Sequence, residues 1–145
     1  MSSPNESENS EDVTSTQRFA EDLVDDPKEG LDEEELAAVV SLPAGSALLI
    51  VKRGPSEGSR FLLDIDSTTA GRHPNAEIFL DDVTVSRKHA EFSRSSNGFA
   101  VTDLGSLNGT YLNGVRVDSS SLTDGDEVQV GKFRLTFYSA SAGPV

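Results

Sequence analysis

The chain has 145 residues, 35% of them apolar, and carries 25 acidic against 12 basic side chains for a net charge of −13; this is room for one ordinary domain and excludes a second, enzyme-sized one. Such a polyanion repels nucleic acid at long range, and the absence of cysteine removes disulfide frameworks, thiol catalysis and zinc-ribbon sites. The start, Met1-Ser2-Ser3-Pro4-Asn5-Glu6, lacks the parts of a signal peptide, and runs such as Ala47-Leu48-Leu49-Ile50-Val51 are too short to span a bilayer, so the expectation is a soluble, cytoplasmic protein bound to neither nucleic acid nor membrane.

Charge divides the chain in two. Residues 1–40 hold 13 acids and two bases (Arg18 and Lys28), a net of −11, while the remainder nets only −2. Rich in Ser, Asn, Glu and Asp, the first part buries too little apolar surface to offset the entropy of ordering. Residues 1–45 are therefore expected to form a disordered acidic tail. Within it, Asp32-Glu33-Glu34-Glu35-Leu36-Ala37-Ala38-Val39-Val40 has early acids and later Ala and Leu that suit a helical turn or two. In isolation such a helix is marginal.

From Ser46 the pattern changes to short β-branched, Leu and Phe runs punctuated by Gly, Pro, Asn and Asp, which predicts an all-β domain over 46–140 with a short C-terminal tail at 141–145. The runs centre on 48–52, 60–63, 68–71, 78–80, 90–93, 99–102, 115–117, 127–130 and 133–138. Alternation in Glu127-Val128-Gln129-Val130 and Phe133-Arg134-Leu135-Thr136-Phe137 puts one face in a core and the other in water. Many short, evenly spaced strands predict a sandwich. Gly54-Pro55-Ser56-Glu57-Gly58 and Asn113-Gly114 read as hairpin connections, the second a preferred type I′ pair.

Three longer connections carry the polar chemistry: Gly71-Arg72-His73-Pro74-Asn75, Asp81-Asp82-Val83-Thr84-Val85-Ser86-Arg87-Lys88-His89, and Asp103-Leu104-Gly105-Ser106-Leu107-Asn108-Gly109-Thr110. Together they supply guanidinium, ammonium, hydroxyl and amide donors, with glycines that permit close backbone approach, the set an anion with three oxygens needs. By spacing alone, solvated charges at Arg72, Arg87 and Lys88 and an ordinary turn at Asn108-Gly109 account for the pattern equally well.

At these loops the sequence resembles the forkhead-associated (FHA) domain family, through Gly71-Arg72, Ser86-Arg87-Lys88-His89, Asn108-Gly109, Asn113-Gly114 and Gly125-Asp126 in that order. The resemblance implies an eleven-stranded β-sandwich whose loops at one end bind phosphothreonine peptides. It also implies that Arg72 holds the phosphate, Ser86 hydrogen-bonds it and Arg87 assists. Asn108 would bond the peptide backbone beside the phosphothreonine, with Ser106 a neighbouring contact. His89 would brace the loops, and Gly71 and Gly109 would shape their backbone. A planar guanidinium matches phosphate oxygens in a way a lysine does not.

The match is closer to one subfamily, the actinobacterial glycogen accumulation regulators or oxoglutarate dehydrogenase inhibitors. It is carried by Leu42-Pro43-Ala44-Gly45-Ser46-Ala47-Leu48-Leu49, Val51-Lys52-Arg53-Gly54-Pro55, Ala70-Gly71-Arg72-His73-Pro74, residues 78–87, and Gly131-Lys132-Phe133-Arg134-Leu135. This resemblance implies a regulator that, unphosphorylated, binds the E1 component of the 2-oxoglutarate dehydrogenase complex and glutamate-metabolising enzymes. A serine/threonine kinase would switch it off by phosphorylating a tail threonine that docks in the protein's own phosphate-binding loops. The subfamily pattern has two adjacent threonines followed by Ser-Val-Phe, whereas this chain reads Val13-Thr14-Ser15-Thr16-Gln17-Arg18-Phe19. Thr16, with Phe19 three residues on, is the expected site; Thr14, with Glu11 and Asp12 upstream, is the alternative. A tail of ~30 flexible residues has a root-mean-square span of roughly 30 Å, comparable to the length of a small sandwich.

An enzyme is the competing class, since Ser86, His89 and a nearby Asp suggest a hydrolase. Against it, no nucleophile elbow is present and Ser86 precedes a basic pair suited to ligand charge. His73 and His89 with solvating acids make a poor metal set, and Asp32 to Glu35 lacks an EF-hand ligand order. The expectation is a monomer without enzymatic activity, metal or cofactor. The other reading is an adaptor that recognises phosphothreonine on other proteins without tail autoinhibition.

Overall fold

The computed structural model describes residues 30–140. Residues 1–29 and 141–145, and with them Thr14 and Thr16, lie outside the described residues. The folded unit begins at Asp32.

Eleven strands follow one short helix: α1 (Glu33–Val40), β1 (Ala47–Arg53), β2 (Arg60–Leu63), β3 (Ser67–Gly71), β4 (Ile78–Phe79), β5 (Ala90–Ser95), β6 (Gly98–Asp103), β7 (Thr110–Leu112), β8 (Val115–Val117), β9 (Ser119–Leu122), β10 (Glu127–Val130) and β11 (Phe133–Ser139). They form a six-stranded sheet, ordered β2-β1-β11-β10-β7-β8, and a five-stranded one, ordered β4-β3-β5-β6-β9. All pairings are antiparallel except β3 with β4. The inner faces meet over Leu49, Val51, Leu63, Phe92, Val101, Val128, Phe133, Leu135 and Phe137. Phe99 and Phe137 close the layer with ring centroids 5.5 Å apart. This is the expected sandwich.

Two strands carry too little apolar pattern to read. β7 is three residues long and β9 is Ser-Ser-Ser-Leu, an edge strand held through its backbone to β6. The Asn113-Gly114 hairpin forms between β7 and β8 with φ of +50° and +86°, the two positive values a type I′ turn requires.

β1 departs from alternation: Ala47 to Val51 are all buried. Ala47, Leu49 and Val51 enter the core, while Leu48 and Ile50 face the other way with Tyr138 and are buried there as well, on the side where α1 lies. The helix is held there by Glu35 on Lys52 Nζ at 3.3 Å, by Glu34 near Arg60 at 3.8 Å, and by Val39, which is 1% exposed. Its first turn closes a capping box: Asp32 Oδ1 accepts from the Glu35 N–H at 2.7 Å, and Glu35 Oε1 accepts from the Asp32 N–H at 3.2 Å. Residues 32–40, expected as a helical turn or two within a tail running to residue 45, thus form a helix whose buried Val39 and cap supply what an isolated helix of this length lacks.

Candidate functional site

The site grows from the way β3 ends. Gly71 closes β3 against the following loop so tightly that a Cβ there would lie 2.1 Å from the Arg87 carbonyl oxygen, so only glycine fits. This approach lets the Arg72 N–H donate to the Ser86 carbonyl at 2.9 Å and the His73 N–H to that of Arg87 at 3.3 Å, zipping the β3–β4 and β4–β5 loops together. The exposed Arg72 side chain is then aimed by its own Nε, which donates to the Val85 carbonyl at 3.0 Å and leaves both Nη groups for a ligand.

Ser86 sits between loops. Its Oγ accepts from the Leu107 N–H at 3.0 Å, so its hydroxyl hydrogen remains available to an anion. His89, fully buried, fixes the same junction from beneath. Its Nδ1 faces the Ser86 N–H at 3.1 Å, which can only donate, and its Nε2 faces the Gly109 carbonyl at 2.8 Å, which can only accept. Those partners assign a neutral imidazole protonated on Nε2. One side chain thereby ties Ser86 to the Asn108-Gly109 turn.

Asn108 is exposed, and its Nδ2 donates to the Thr84 carbonyl at 2.9 Å, which directs Oδ1 and the second N–H outward. Gly109 holds φ at +87° with the Arg116 guanidinium against it, where a Cβ would lie 2.6 Å from Arg116 Nε. Ser106, the expected neighbouring contact, is buried: its Oγ donates to Asp103 Oδ1 at 2.5 Å and accepts from the Gly109 N–H at 2.9 Å. The hydroxyl therefore works inside its own loop. Arg87 and Lys88 are exposed and border an open groove of about 360 Å³ with His73, Asn75 and Glu77.

Two residues outside the expected set hold the loops. Asp103 collects the Ser106 and Thr110 hydroxyls on Oδ1 and the Gly105 and Ser106 N–H groups on Oδ2. Partial burial alone would raise its carboxyl, but those four hydrogen bonds outweigh it and hold the group below the ordinary aspartate value. Thr84 joins three segments: its hydroxyl and N–H donate to Asp82, the hydroxyl accepts from the Lys132 N–H at 3.0 Å, and its carbonyl takes Asn108. The hydrogen bonds from the Thr84 hydroxyl and N–H lower the Asp82 carboxyl. The legible signals were local: an aspartate three residues before a serine, and Asp-x-Thr, are side-chain-to-backbone turn patterns.

The arrangement presents a guanidinium fixed at Nε, a donor hydroxyl and an outward amide along one hydrogen-bonded rim. An anion with several oxygens and an adjoining extended backbone match these donors. The FHA domain family model matches residues 68–131. The chain is 55% identical to the oxoglutarate dehydrogenase inhibitor of Corynebacterium jeikeium over 89% of its own length and 90% of that protein. It is 58% identical to the glycogen accumulation regulator GarA of Mycolicibacterium smegmatis over 88% and 84% of the respective lengths. Among solved structures, an FHA domain studied for phosphothreonine-dependent interactions superposes with a TM-score of 0.62 at 29% identity, covering 67% of this chain and 99% of that one.

Proposed function

Since the chain belongs to the FHA domain family, in the group of glycogen accumulation regulators and oxoglutarate dehydrogenase inhibitors, we propose that it is a non-catalytic phosphothreonine-binding regulator of central-metabolic enzymes. Arg72 and Ser86 take the phosphate oxygens, Arg87 adds positive charge at the rim, and Asn108 reads the peptide backbone beside the phosphothreonine. The observation that carries this is the pair Arg72 and Ser86, each held by one bond to a neighbouring loop and each with its remaining donors directed outward.

Unphosphorylated, the protein binds and restrains the 2-oxoglutarate dehydrogenase complex through its E1 component, together with glutamate-metabolising enzymes. A serine/threonine kinase modifies Thr16, with Thr14 as the alternative, and the phosphorylated tail occupies the protein's own loops. Two features support this: the names of the relatives, and a threonine-bearing tail on the same chain as the loops. Tethering to a site within reach gives an effective concentration on the order of millimolar, enough to fill a pocket of micromolar affinity.

The test is the activity of a 2-oxoglutarate dehydrogenase complex titrated with the full chain before and after phosphorylation on Thr16. Inhibition by the first form and its loss in the second is the expected result. Equal inhibition by both would replace autoinhibition with the adaptor reading, and no inhibition by either would remove this complex as a target.

A further inference from the structure

On the outer face of the six-stranded sheet, α1 sets its acidic first turn on Lys52 of β1 and Arg60 of β2, beside the buried Leu48, Ile50 and Tyr138. Beyond it the strand register sets Arg134 of β11 opposite Gln129 of β10, Gln129 opposite Tyr111 of β7, and Tyr111 opposite Arg116 of β8. Partners in register share a face of the sheet. Arg134, Gln129 and Tyr111 of this row line a groove of about 490 Å³ that opens at Asn108 and Thr84 and also takes in Lys132, with Arg116 next in register beside it. Among the described residues, the ion pairs are Lys52 with Glu35, Arg60 with Glu34 and Arg94 with Asp66, so Arg116, Lys132 and Arg134 form none.

We propose that this row is a second docking site for the protein's own tail, taking the acidic stretch Glu21-Asp22-Leu23-Val24-Asp25-Asp26 once phosphorylated Thr16 is seated at Arg72 and Ser86. The inference rests on the self-docking reading above. Its first support is charge: the stretch carries four carboxylates in six residues, and Arg116 and Arg134 have no ion-pair partner among the described residues. Its second is topology. The folded unit starts at Asp32, whose helix pairs with β1 and β2. The β1–β2 loop lies at the same end as the binding loops, since a Cβ on Gly54 would sit 2.4 Å from the Lys132 carbonyl oxygen.

In the strand order, β10 and β11 lie between β7, beside Asn108, and β1. With strands about 4.8 Å apart, that passage is about 15 Å. The 15 residues from Gln17 to Leu31 reach at most about 50 Å when extended, so they span it with slack. A passage along the strand order from Asn108 to β1 goes by β10 and β11, which carry Gln129 and Arg134, and in the sequence the acids fall midway between Gln17 and Leu31.

The experiment uses the full chain, unphosphorylated and phosphorylated on Thr16, with a fluorescent probe peptide copying residues 10–20 phosphorylated on Thr16, which lacks the acidic stretch. The readout is the ratio of the probe's apparent Kd on the two forms. A chain with Glu21→Gln, Asp22→Asn, Asp25→Asn and Asp26→Asn should lower that ratio about tenfold, and Arg134→Ala about threefold, as expected for a few exposed ion pairs. Combining them should add little to the first. A ratio unchanged in both variants overturns the second site while leaving self-docking intact. A ratio lowered by Arg134→Ala alone rules out the acidic stretch as occupant. A ratio of one in the parent chain removes self-docking itself, and the inference with it.

Discussion

Replacing His89 by alanine tests the loop architecture more sharply than removing any ligand-facing group. The imidazole is fully buried and makes two hydrogen bonds, from the Ser86 N–H and to the Gly109 carbonyl. His89→Ala strands both groups, at about 1–3 kcal/mol for each one buried. Ser86 is only half-buried, so water relieves part of its loss, whereas Gly109 is buried. The vacated volume adds a penalty of the kind seen on truncating large core side chains, about 2–5 kcal/mol before relaxation. Allowing for water in the polar cavity, the net cost is about 4 kcal/mol, a large part of an ordinary stability of ~5–15 kcal/mol. A domain of this size would lose about 15–25 °C of melting temperature. Urea unfolding of the full chain gives the first number, and calorimetric titration with a phosphothreonine peptide below the new midpoint should show at least tenfold weaker binding. A loss under about 1 kcal/mol with unchanged affinity would refute the bracing role, because solvent-facing substitutions behave that way.

Arg72→Ala should weaken phosphothreonine-peptide binding at least 30-fold, as expected for charge-assisted bonds of about 2–3 kcal/mol; Arg72→Lys should recover little, because an ammonium cannot hold the Val85 carbonyl and present a fork together. Gly71→Ala places a methyl against the Arg87 carbonyl and should cost about 3 kcal/mol in urea unfolding, with binding lost in parallel. Asp103 and Asp82 titrate below the ordinary 3.8 in the folded state. Their stabilisation is therefore complete above the unfolded value and is lost as pH falls through the lower folded one, so acid unfolding should steepen below about pH 4 and Asp103→Asn should flatten it. Asp32→Ala removes the capping box and should cost about 1 kcal/mol, read in the same unfolding assay.

The strands that were legible are those whose alternation reports a buried face. Val128 and Val130 point inward while Glu127 and Gln129 do not, and the pattern states this directly. β9 was not legible because Ser119, Ser120 and Ser121 contribute backbone hydrogen bonds at a sheet edge, which leave no mark on hydropathy. α1 was underrated for the opposite reason: its ties to Lys52 and Arg60 and the burial of Val39 are tertiary gains that its own eight residues do not announce. Arg72, Ser86, His89 and Asn108 were singled out through the family resemblance, and the structure hydrogen-bonds Arg72, Ser86 and Asn108 to neighbouring loops with His89 buried beneath them. Asp103 and Thr84 received no role from the sequence, because local turn patterns do not show that Asp103 gathers four bonds within its own loop or that Thr84 ties together separate segments. Ser106 was expected as a peptide contact, but Asp103 and Gly109 already engage its hydroxyl.

The central claim is that these loops bind phosphothreonine. Calorimetric titration of the full, unphosphorylated chain with a peptide copying residues 10–25, phosphorylated on Thr16, tests it most directly when set beside the unmodified and phosphoserine peptides and the Arg72→Ala protein. The account predicts binding of the phosphothreonine peptide in the micromolar range, at least tenfold weaker binding of phosphoserine, none of the unmodified peptide, and loss with Arg72→Ala. Equal binding of phosphorylated and unmodified peptides, or binding that survives Arg72→Ala, would contradict it.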